Sequence, residues 1–220
     1  MNPQKQEVTL YDAVTPVTVT SSTDTTVTPT VVTATAHGLN TGDRVLIYGH
    51  GTNVAANGIF KVVVVTSDTF QLWDEFNGVM VIGSGAGAGS GGVLVKAPPV
   101  LLVSDFRNVI LQVGTSGTAT TTLKVVGSVG KPASSYANGP RYDYPNIGAT
   151  VSPANPYTFL QLINLDTAAA INGATGIVAG GADINNQYEV NINAMKYLTV
   201  IPISWTQGVI TVKALLNTAI

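Results

Sequence analysis

The chain has no cysteine, only two histidines and very little charge: Asp, Glu, Lys and Arg make up 10% of its 220 residues, against about 25% in an ordinary soluble domain. Without cysteine there can be neither a disulfide framework nor a thiolate metal site. The formal net charge is −2, with no run of like charges, so the basic stripe that would track a phosphate backbone is missing and no nucleic-acid partner is expected. No apolar stretch approaches the ~20 residues that span a bilayer. The start, Met1-Asn-Pro-Gln-Lys-Gln-Glu7, lacks the apolar core of a signal peptide. These absences lead us to expect synthesis in a cytoplasm, no membrane partner and no cofactor.

What the chain does have is Thr, Val, Gly and Asn, the composition of β structure: β-branched residues favour strands, and Gly and Asn supply turns. Residues 1–33 alternate polar and apolar positions around Val17-Thr-Val-Thr20 and Thr25-Thr-Val-Thr-Pro-Thr-Val-Val32, while Pro16 and Pro29 argue against a central strand. This predicts an extended N-terminal arm. Between about 34 and 97, strand candidates Asp43–Tyr48, Ile59–Val65, Phe70–Trp73 and Val79–Ile82 are punctuated by Gly, Asn and Asp, as in a small barrel or sandwich. That module ends in Gly83-Ser-Gly-Ala-Gly-Ala-Gly-Ser-Gly-Gly92, whose composition predicts a flexible tether.

Residues 98–220 again alternate, most clearly in Gln187–Asn193, where Tyr188, Val190 and Ile192 share one face. Val109–Val113 and Thr120–Val126 read as separate strands, and so do Tyr197–Ile203 and Val209–Leu215, the last two joined by a hairpin loop at Ser204–Gly208. The expectation is a C-terminal antiparallel β-sandwich. Within it, residues 131–156 form a long Pro/Gly/Asn/Tyr-rich loop, of a kind that often carries function. The fold class expected is therefore all-β.

Catalysis requires a nucleophile, a proton shuttle or a metal within mutual reach, and candidates are few. His37 and His50 each lie beside glycine and are expected as turn or surface residues, since no further ligand shows metal spacing near them. Gly114-Thr-Ser-Gly-Thr118 has Thr where a nucleophile elbow needs its second glycine. Gly130-Lys131 is followed by proline and has Val125 where a P-loop needs its first glycine. No catalytic or metal-binding residue is assigned, and the chain is not expected to be an enzyme.

Three motifs in order, His37-Gly-Leu-Asn-Thr-Gly-Asp-Arg-Val45, Ala56-Asn-Gly-Ile-Phe-Lys-Val-Val-Val-Val65 and Ser67-Asp-Thr-Phe-Gln-Leu72, resemble a small β-module common in bacteriophage tail and other virion proteins. More loosely, Asn186 to Ala214 is similar to the ending of a terminal β-sandwich in phage head and tail accessory proteins. Gly38 and Gly42 would allow the tight turn, and Phe60, Phe70 and Leu72 would fill a shared core. The resemblance carries no catalytic residues. It implies a virion building block without fixing its place in the particle, and the function we expect is to decorate or reinforce the capsid by protein contacts. Its partners would be the major capsid protein or tail and neck proteins, and it would form a homo-oligomer, with a trimer among the arrangements. A tail, neck or baseplate component that binds host glycan is the alternative. The residues expected at subunit contacts are Val17, Val19, Val27, Val31 and Val32 of the arm, where an added strand would extend a neighbour's sheet, and Tyr136, Tyr142, Tyr144 and Tyr157 of the loop, because exposed Tyr favours interfaces.

Overall fold

The computed structural model describes residues 5–74, 78–83, 85, 87–129, 157–180 and 183–218. The described residues are 57% strand, paired antiparallel throughout, with no α-helix, and divide into two compact units, each built on its own sheet. The chain passes from one unit to the other between Thr15 and Pro16 and back between Ala97 and Pro98. Both of these crossings, the ones that fall among the described residues, lie at proline, which withholds a ladder hydrogen bond.

The segment expected to be an arm is divided between the units. Its first part, β1 (Lys5–Val14), belongs to the second unit's sheet, and its remainder supplies three short strands of the first unit. Alternation specifies a strand but not which sheet will receive it.

The first unit consists of β2 (Val17–Thr18), β3 (Ser21–Ser22), β4 (Val31–Thr33), β5 (Arg44–Tyr48), β6 (Gly58–Val64), β7 (Thr69–Trp73), β8 (Gly89–Ser90) and β9 (Val93–Lys96), with one 3₁₀ turn at Val54–Ala56. Its linear order is β2-β9-β5-β6-β7-β4-β3-β8, but the two ends are one ribbon. Val17 faces Leu94, Thr18 faces Val93, Ser21 faces Ser90 and Ser22 faces Gly89, all in a single antiparallel register. The Val19 N–H donates to the Gly92 carbonyl (3.0 Å) in the gap. Since β9 also pairs with β5 and β3 with β4, the sheet closes into a small barrel and leaves no open edge. Its interior is packed by Val19, Val32, Val45, Ile47, Phe60, Val62, Phe70, Leu72 and Leu94, all under 3% exposed. Full burial of each large side chain stabilises by about 1.5–3 kcal/mol.

Closure explains why the glycine-rich stretch is no tether. Gly89 and Ser90 are a barrel strand, and Gly92 accepts from Val19. A Cβ on Gly89 would sit 2.1 Å from the His50 ring nitrogen, so only glycine lets the ribbon lie this close.

The second unit comprises β1, β10 (Leu101–Leu102), β11 (Asn108–Ser128), β12 (Tyr157–Phe159), β13 (Leu162–Asn164), β14 (Ala170–Ile171), β15 (Ile177–Gly180), β16 (Asn185–Val190) and β17 (Tyr197–Asn217). The four strands and the hairpin expected here are instead two 21-residue strands, β11 and β17, paired with each other along their whole length. The Ser204–Gly208 stretch is not a hairpin loop but a bulged bend within β17. Ser116 faces Val209, Thr120 faces Gln207, Thr121 faces Trp205 and Leu123 faces Pro202. The extra residues on β11 are thus matched by later ones on β17, and from Leu123 onward the pairing is what an unbroken ladder from Ser116 would have given. Such paired bulges bend a sheet without losing its register.

The bend folds the sheet over. Tyr11 on β1 is paired with Val212, yet its hydroxyl donates to the Val200 carbonyl (3.0 Å) and its ring meets Trp205 edge-on at 6.5 Å. Residues 200 and 212 would be roughly 40 Å apart on a straight strand at about 3.3 Å per residue, so β17 must double back between them. The result is sandwich-type packing, its interior formed by Val109, Leu111, Val113, Leu123, Val125, Tyr188, Val200, Trp205, Val212 and Ala214. Tyr188, Val190 and Ile192 are buried as expected, while Gln187 and Asn191 on the alternate face are exposed.

Candidate interaction surfaces

The residues expected at subunit contacts are dispersed by the fold. Val19 and Val32 are fully buried in the barrel core and cannot serve as contacts, because barrel closure turned their strands inward. Val17 is partly buried and packs against that core, and Val31 is half-buried. Val27 stands out at 76% exposed. Tyr136, Tyr142 and Tyr144 lie outside the described residues, as does the rest of the 131–156 loop. The backbone of Tyr157 opens β12 opposite Ser128.

Val27 does not stand alone. The turn that carries it is hydrogen-bonded beside residues 81–83: Gly83 N–H donates to the Thr25 carbonyl (2.7 Å) and Thr30 N–H to that of Val81 (2.7 Å). Val81 points inward, leaving Val79, Met80 and Ile82 outward at 53%, 40% and 39% exposure. Single exposed valines are ordinary, but a group on adjoining segments is a candidate contact face. In the sandwich unit, Leu102, Ile163, Leu165 and Val178 are also exposed.

β1 offers a different kind of surface. It lies at the end of its sheet and pairs on one side only, with β17. Register shifts after Thr9 and Tyr11, with Ala13 at φ 48°, distort its second half. Bulges of this kind protect an edge from indiscriminate pairing, so a partner strand would be limited to the regular stretch from Lys5 to Thr9.

Neither histidine is at the surface. His37 is 7% exposed: its Nδ1 accepts from Leu39 N–H (3.0 Å), leaving Nε2–H to donate to the Thr66 carbonyl (3.2 Å), and Phe70 meets the ring edge-on. The rest of that motif is spent the same way. Gly38 and Gly42 take φ of 62° and 96°, and Asp43 accepts from Asn40 N–H (3.0 Å) and pairs with Lys96 (3.1 Å). The Asn40 bond, chiefly, holds the Asp43 carboxyl below its ordinary pKa, with Lys96 assisting against a smaller desolvation effect.

His50, 3% exposed, sits on the closing ribbon. Nδ1 faces the Gly91 carbonyl, which can only accept, so Nδ1 carries the proton and Nε2 accepts from the Ser22 hydroxyl (2.8 Å). Asn53 donates to Ser22 Oγ (3.2 Å) and to the Thr23 carbonyl (2.8 Å). A Ser–His pair is the geometry of an activated nucleophile, but Ser22 is 3% exposed and its oxygen is taken up by two neighbours. This cluster locks the barrel seam. Nearby, the Tyr48 hydroxyl is buried with no hydrogen-bond partner among the described residues, and burial raises its pKa. Sequence reading missed the cluster, although the crowding of glycines opposite His50 was a usable signal.

Among the described residues no group of three or more His, Asp or Glu side chains converges as metal ligands would, and no helix is long and apolar enough to cross a membrane. No protein-family model matches the chain, and no curated protein matches it in sequence.

Proposed function

We propose that this chain is a structural subunit of a bacteriophage particle, of the capsid-decorating kind, working by contact with other virion proteins and with copies of itself. The observation that carries this reading is the outward apolar group Val27, Val79, Met80 and Ile82 on a closed, core-packed barrel, in a chain with so few charges. A face of this kind is stabilised by being covered. The two motif resemblances to virion modules support the same reading. Position on the head is preferred, with a tail, neck or baseplate position as the alternative.

The test has two parts. Labelling the chain on intact particles is expected to mark the capsid surface; label on the tail selects the alternative, and label on neither overturns the proposal. In solution, Val27→Asp with Met80→Asp is expected to abolish self-association or capsid binding in sedimentation while the melting temperature moves little. Unchanged assembly in that variant removes this face from the proposal.

A further inference from the structure

The sandwich unit carries an open groove of about 520 Å³ where β11, β13 and β16 end together, continued by a second hollow of about 450 Å³ that shares Arg107, Ile192 and Asn193 with it. Its floor is apolar and buried: Leu162, Val190 and Ile192 are 1%, 2% and 6% exposed. Its rim is unusually rich in groups that form planar, forked hydrogen bonds. Arg107, Gln161 and Asn193 are exposed, and none of their side chains has a hydrogen-bond or ionic partner among the described residues. Glu189 is held on the same rim by the Asn108 amide (3.2 Å), which is itself fixed by Asn217 (3.0 Å). Lys196 lines the continuation, with Phe106 half-exposed beside it.

We infer that this groove binds a saccharide carrying a carboxylate. Sugars present vicinal hydroxyls, which donate and accept together, and these match side-chain amides and a carboxylate better than any apolar ligand would. Their C–H faces rest on an apolar floor and on aromatic rings. Among the residues that line the two hollows Arg107 and Lys196 outnumber Glu189, with Asp105 held by Ser104 (3.2 Å) just outside the lining, and a neutral sugar would leave that positive excess unanswered. A guanidinium pairs with a carboxylate in two parallel bonds, and Arg107 stands where the two hollows meet. The inference stands on the groove alone and does not depend on where in a particle the chain sits.

The experiment is a titration of the full chain, followed by calorimetry and by amide shifts, with three probes: a short oligouronate, a neutral hexose oligomer of the same length, and a tetra-alanine peptide. The oligouronate is expected to bind and to perturb residues 107–108, 161–163 and 189–196. Arg107→Gln is expected to weaken it at least tenfold, and Asn193→Ala severalfold, whereas Lys61→Gln on the barrel leaves it unchanged. Equal binding of the neutral oligomer overturns the assignment to acidic sugars. Preference for the peptide, or no saccharide binding at millimolar concentration, overturns the site altogether. Far-UV dichroism of each variant separates lost binding from lost folding.

Discussion

The two units solve the same problem in opposite ways. The barrel removes its edges by joining them: a two-part ribbon, residues 17–22 against 89–94, turns an eight-strand sheet into a ring. The sandwich keeps an edge at β1 and reaches two layers by bending one pair of very long strands. The barrel therefore depends on close approach at a seam, where glycines and a buried Ser–His–Asn cluster meet. The sandwich depends on a bend, where bulges must cancel. Three of the seven barrel ladders join neighbours in sequence, β3 with β4, β5 with β6 and β6 with β7, and all seven lie within residues 17–96, whereas β1 pairs with β17 across nearly the whole chain. Distant pairings close slowly because their loop entropy must be met first, so the barrel is expected to form before the sandwich.

Substitutions aimed at one device should leave the other unit intact, and hydrogen exchange read by mass spectrometry reports each unit separately. The largest effect is expected from Gly208→Val at the bend. Gly208 has φ 84°, and a Cβ there would meet the Ala119 Cα at 2.4 Å. Backbone strain and clash together should cost on the order of 5 kcal/mol, with protection lost in β11 and β17 and kept in the barrel. Loss of protection in both units would mean that they do not fold separately.

Next comes Phe70→Ala, which empties the centre of the barrel and should cost about 3–5 kcal/mol, this time sparing β11 and β17. Ser22→Ala at the seam is expected to cost about 1–3 kcal/mol, because His50 Nε2 is left buried and unpaired and the Asn53 amide keeps only its bond to the Thr23 carbonyl. Faster exchange at Val19, whose N–H crosses the ribbon, would localise that loss; unchanged exchange there would show the cluster is not what holds the seam.

The smallest effect is a pH dependence confined to the barrel. The Asp43 carboxyl has a lowered pKa in the fold, so its contribution is fully present above the unfolded value near 3.8 and is lost as pH falls through the lower folded value. Asp43→Asn should therefore reduce barrel stability slightly at pH 7 and make no difference at about pH 2. An equal effect at both pH values would show that shape, not charge, is at work.

Much of the barrel was legible because its instructions are local. Gly38, Gly42 and much of the bonding of His37 and Asp43 act within a few residues, and Phe60, Phe70 and Leu72 occupy the shared core that the motif resemblance implied. The glycine-rich stretch misled because composition describes an isolated segment, while Gly89 pairs with Ser22 and Gly92 accepts from Val19. The candidate contacts fared unevenly for the same reason: alternation marks two faces, and only closure decides that Val19 and Val32 point inward while Val27 does not.

By itself the sequence determined the β class, the antiparallel alternation and the turn chemistry, all of which arise from interactions a few residues apart. Tertiary structure alone decided which sheet received β1, that two strands run 21 residues through a bend, and that a ribbon closes the barrel. Those outcomes rest on pairings between distant residues. Their register is set by the mutual burial of both partners, and no single segment contains that information.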